Sequence, residues 1–147
     1  MKNLFFSIAV PLVVLSISHA ERTRGYITIF CAGDPDKPYP VVIFDCHGQF
    51  DTTYQNFFIK KFEVEDTVLN NLYLLIKQTG PSADYDLINP PIGIRAVIND
   101  RDTLFYLGFK TSVSKLFMQI KERFDGQQRQ DVTSALDQLA ARLAIPD

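Results

Sequence analysis

Asp45-Cys46-His47 is the first place where this chain could do chemistry. A cysteine nucleophile needs a base within hydrogen-bond reach. Cys46 and His47 are neighbours, and neighbours on a strand point to opposite faces. The chain has two histidines, and the other, His19, falls in the N-terminal apolar segment. A serine triad would also need His47 as its base, and no Gly-x-Ser-x-Gly elbow is present. No glycine-rich phosphate loop follows a strand. A tetrahedral zinc site wants three or four ligands from Cys, His and carboxylates. If the two cysteines bond to each other, only His47 and aspartates remain. The residues therefore predict no metal, no cofactor and no enzyme. A pair of carboxylates acting as a hydrolase needs only two acids at the right separation, which a sequence does not display.

The two cysteines, Cys31 and Cys46, bracket a loop dense in proline and aspartate, Asp34 to Pro40. In an exported chain two cysteines usually pair. A loop of this length gives about 3 kcal/mol in the chain-entropy model. The geometry is demanding. In a simple hairpin closed by that loop, Cys46 would sit about 15 Å from Cys31, at roughly 3.3 Å per residue. A disulfide needs Cα atoms within about 7 Å. A Cys31–Cys46 bond therefore predicts strands that are shifted in register or not adjacent.

Asp-x-Asp recurs three times, each time where a loop is expected: Asp34-Pro35-Asp36, Asp84-Tyr85-Asp86 and Asp100-Arg101-Asp102. Aspartate forms turns by bonding its own backbone. The same residues, with Tyr39 and Tyr85 among them, would dock into a basic cleft on a partner if some of these loops gathered at one end of the sheet. Calcium is disfavoured, because the spacing matches no EF-hand loop.

The elements that must position these residues follow from the patterning. Lys2, the apolar run Leu4 to Ile17 and the small residues of Ser18-His19-Ala20 read as a secretory leader over 1–20. The remainder, 21–147, reads as one exported domain, periplasmic or secreted. The chain carries a formal charge of -2 and no basic block, so nucleic acid is not an expected partner. No further apolar stretch approaches membrane length, so no stable insertion is expected once the leader is gone.

Tyr26 to Cys31 and Val41 to Cys46 read as strands, and Phe57 to Val64 as an edge strand. Asp66 is placed to cap a helix whose apolar face carries Leu69, Leu72, Tyr73, Leu75 and Ile76. Ser82 to Ile92 reads as a connection. Ile94–Ile98 and Thr103–Phe109 form a hairpin over the four-residue turn Asn99 to Asp102. If Ile98 faces Thr103, Arg95 faces Tyr106, and Ile94 and Ala96 share the core face with Phe105 and Leu107. Two helices close the chain, one capped by Thr111 or Ser112 and one by Asp131.

The order predicts an α+β fold. A mixed or antiparallel sheet of about four to five strands packs on about three helices, including a C-terminal helix pair. By elimination the function expected is that of a small exported non-catalytic binding protein. An inhibitor or immunity-type protein docking acidic loops on another exported protein fits that description. Twelve phenylalanines with no tryptophan motivate a carrier or sensor of a small apolar ligand as the second reading. A carboxylate-dependent hydrolase is the third.

Overall fold

The computed structural model describes residues 23–31, 41–50, 59–79 and 87–143. The leader at 1–20 and the candidates Asp34, Asp36, Tyr39, Asp84, Tyr85 and Asp86 lie outside the described residues. Within them the fold is α+β: a five-stranded mixed sheet with three helices, two of them C-terminal.

The strands are β1 (Gly25–Cys31), β2 (Val41–Cys46), β3 (Ile59–Glu63), β4 (Leu87–Ile98) and β5 (Arg101–Phe109). The helices are α1 (Asp66–Gln78), α2 (Lys110–Lys121) and α3 (Gly126–Leu143). Sheet order is β3-β2-β1-β4-β5. β3 runs parallel to β2, and the other pairings are antiparallel.

The period-two pattern sets the faces. Ile27, Ile29 and Cys31 of β1 share the helix-covered face with Val42, Phe44 and Cys46 of β2 and with Ile92, Ile94 and Ala96 of β4. Leu69, Leu72 and Ile76 of α1, Val113, Leu116 and Ile120 of α2, and Val132, Leu136 and Leu139 of α3 close over them. Phe44 stacks between Phe62 and Phe124, with ring centroids 5.7 and 5.6 Å away. Phenylalanine therefore fills the seam between β2, β3 and the α2–α3 connection.

Four local expectations are corrected. The β4–β5 turn has two residues, Asn99 and Asp100, both at positive φ (49° and 67°). That is the primed turn whose twist matches paired strands. Ile98 then faces Arg101, and Arg95 faces Leu104 rather than Tyr106. The shift is two residues, so the faces keep their identity: Ile94 opposes Phe105 instead of Leu107, and Leu107 opposes Ile92, all on the core face. Second, β4 begins at Leu87, inside the expected connection, and the register slips between Leu87 and Ile92. A bulge there accommodates Pro90 and Pro91, which have no N–H for a ladder bond. Third, α2 follows β5 directly, with Phe109 at the cap position instead of Thr111 or Ser112. Fourth, α3 starts at Gly126 rather than after Asp131. Gln127, Gln128, Arg129 and Gln130 all favour helix, so the helix extends back to the glycine.

Candidate functional site at the end of β2

The expected Cys31–Cys46 bond is not formed. β1 and β2 make the simple hairpin after all, with Ile29 opposite Val42 and Gly25 opposite Cys46. Cys31 and Cys46 lie at opposite ends of it, both buried and not joined to each other. With the sulfurs apart, Cys46 is again available as a ligand or a donor.

β2 ends at Cys46, and its neighbours take different directions. Asp45 faces away from the helices, fully buried. Its Oδ1 accepts the backbone N–H groups of Gln49 (2.9 Å) and Phe50 (3.1 Å). That carboxylate closes the turn after the strand. Its Oδ2 has no hydrogen-bond partner among the described residues and lies 3.9 Å from Lys61 Nζ. His47 and Gly48 both take positive φ (61° and 63°). Strand alternation therefore stops at Cys46, and His47 is turned back toward the same side as the thiol. This corrects the expectation that the two side chains point apart.

Both meet Asp66. His47 Nε2 lies 2.7 Å from Asp66 Oδ1, and the Cys46 thiol donates to that same oxygen at 3.2 Å. Asp66 does not cap α1 as expected. Glu65 holds the cap position and Asp66 is the first helical residue. A carboxylate in the first turn is favoured by the helix dipole, and here it also points at the end of β2. Glu65 holds the cap position without a side-chain cap bond, which leaves the Asp66 carboxylate for the contacts at the end of β2.

The charges set the state of the site. Burial pushes the Cys46 thiol up to about 12, and the hydrogen bond and charge of Asp66 add to it, followed by the charges of Asp45 and Glu63. The thiol is protonated at neutral pH and fully enclosed, so this is not a thiolate nucleophile. Asp66 is held below the usual carboxylate range, first by the Cys46 hydrogen bond and then by His47. The sulfur, one His47 nitrogen and one Asp66 oxygen all lie within 4.8 Å of one another.

The third Asp-x-Asp lies elsewhere. Asp100 sits in the β4–β5 turn, and Arg101 and Asp102 open β5, all exposed. Asp102 accepts two bonds from Arg95, from Nε at 3.0 Å and from Nη2. The Arg95 bond holds its carboxyl below the usual range. Gly25 pairs with both Cys46 and Ile98, so this turn shares an end of the sheet with Cys46. Cys31, Val41 and Leu87, which border 32–40 and 80–86, lie at the opposite end. Asp100, Arg101 and Asp102 therefore do not share an end with the residues flanking the other two acidic segments.

The sheet face away from the helices is uneven. At β2 it is closed, with Ile43 and Asp45 fully buried. At β4–β5 it is open: Leu104 is 49% exposed and Tyr106 59%. Phe30 of β1 lies across Gly93 of β4, on the row that continues to Tyr106; a Cβ on Gly93 would come within 2.5 Å of its ring.

The fold and these features define an α+β domain with a mixed sheet, a Cys-His-Asp cluster at one end and an open edge. In comparisons with protein-family models, curated proteins and solved structures, nothing matches this chain.

Proposed function

We propose that this is a small exported non-catalytic binding protein that takes up an extended segment of another exported protein as an added strand on β5. The contrast between the two sheet edges carries the reading. An exposed edge presents unpaired N–H and C=O groups, and proteins blunt such edges with short strands and lysines. β3 is blunted in that way: it has five residues, with Lys60 and Lys61 both exposed. β5 has nine residues, and from Thr103 to Phe109 it carries no charge and no proline. Among the described residues no strand pairs with its outer edge. Leu104 and Tyr106 stand exposed on one face of it, spaced as alternate side chains of a strand-addition site. The Arg95–Asp102 pair forms a polar border at the turn end. Export rests on the leader pattern at 1–20.

The test places a photo-crosslinking residue at 104 or 106, with position 118 as control. Met118 is 55% exposed on α2, on the helix side. The expected result is one partner peptide linked from both 104 and 106 and not from 118. Tyr106→Lys should weaken that complex at least tenfold, as loss of an aromatic anchor costs about 2 kcal/mol, while thermal stability stays within about 0.5 kcal/mol. Linkage only from 118 would overturn the reading. Linkage only to a second copy of this chain would replace it with self-association.

A further inference from the structure

We infer that Cys46, His47 and Asp66 form a zinc site, with these three side chains as ligands and the fourth position open to solvent. A thiolate, an imidazole and a carboxylate suit zinc and not calcium or magnesium, which select oxygen ligands. The three ligand atoms already lie within 4.8 Å of one another. With zinc bonds of 2.0–2.3 Å, tetrahedral ligands stand about 3.4–3.5 Å apart. The sulfur-to-carboxylate distance is 3.2 Å and the imidazole-to-carboxylate distance 2.7 Å. Both are hydrogen-bond spacings, and each has to open by less than about 1 Å to admit the ion. His47 can yield that distance, because it sits on an exposed turn with its side chain 54% exposed. Asp66, at 31%, opens the same route from solvent.

The chemistry balances without a further reactant. Zinc replaces the thiol proton, so the S–H bond breaks, an S–Zn bond forms and the proton leaves to water. His47 presents the Nε2 lone pair in its Nδ1–H tautomer. One thiolate and one carboxylate neutralise the two charges of the ion. The ligands come from the end of β2 and the start of α1, so the ion would fasten strand to helix.

The test uses the full chain with zinc alone, then cobalt alone, by calorimetry and absorption. Expected are one zinc per chain, release of about one proton, a thiolate-to-cobalt charge-transfer band and a higher Tm with zinc. His47→Gln changes an exposed residue, and its Tm without zinc reports separately on the fold. It should lower zinc affinity at least tenfold and abolish the rise in Tm, and Cys46→Ser should remove the cobalt band. No zinc uptake by the wild type, a cobalt complex without the thiolate band, or unchanged affinity in His47→Gln would each overturn the assignment.

Discussion

Replacing Cys31 with alanine separates two accounts of the cysteines. Cys46 lies beside Gly25, six residues along β1 from Cys31. At about 3.3 Å per residue that is ~20 Å, far beyond the 7 Å or so that a disulfide spans. Cys31→Ala then removes a buried sulfur and breaks no bond to Cys46. The cost is about 1 kcal/mol, at the low end for core truncation. For a domain of this size that lowers Tm by about 4 °C. Loss of a native disulfide would cost about 2–5 kcal/mol, and up to roughly 15–20 °C at the upper end. Thermal melts with and without reductant distinguish the two, together with thiol titration before and after unfolding in guanidinium. The wild type should show no rapid thiol when folded, two when unfolded, and a melt indifferent to reductant. A wild type with no thiol even when unfolded, and a melt that drops by about 10 °C in reductant, would refute the β1–β2 register.

Three further outcomes follow from local geometry. Asp100 holds φ 67°, so Asp100→Gly should stabilise the hairpin by about 0.5–1 kcal/mol, read as a shift in urea midpoint. Gly93→Ala drives a methyl into the Phe30 ring and should cost about 1–3 kcal/mol; in a Phe30→Ala background most of that penalty should vanish, as a double-mutant cycle would reveal. The Cys46 thiol is raised from 9.0 to about 12 in the fold, so its contribution is full below pH 9 and is lost as pH rises toward 12. The whole gap corresponds to ~4 kcal/mol, and the water-facing Asp66 and His47 reduce it to about 1–2. Urea unfolding from pH 7 to 11 should show that decline in the wild type and a flatter limb in Cys46→Ser.

The sequence made the class of the fold legible because its strongest signals are local. Period-two runs at Tyr26–Cys31 and Val41–Cys46 and helical stripes through Leu69–Leu72–Ile76 and Leu116–Ile120 need no knowledge of partners. The faces of the β4–β5 hairpin were legible even though the turn was misjudged, because a two-residue slip preserves parity. The cysteines mislead for a different reason. Export chemistry argued for a bond, strand geometry argued against it in a hairpin, and the hairpin prevailed. Asp66 was not legible as a site residue, because its meeting with Cys46 and His47 depends on where α1 docks and on a positive φ at His47, neither of which a local pattern encodes. The open face of β5 is only partly legible: the hairpin pattern puts Tyr106 with Arg95 on the non-core face, but Leu104-Phe105-Tyr106-Leu107 is a continuous apolar run, which reads as a strand covered on both faces.

The central claim is that β5 receives a strand. Backbone hydrogen exchange of the chain, alone and with the partner identified by crosslinking, tests it residue by residue. Amides of Arg101–Phe109 that do not bond to β4 should exchange rapidly in the free chain and become protected in the complex, with β3 and the helices little changed. Protection confined to α1, α2 and α3, with the outer amides of β5 still exchanging as in the free chain, would contradict it.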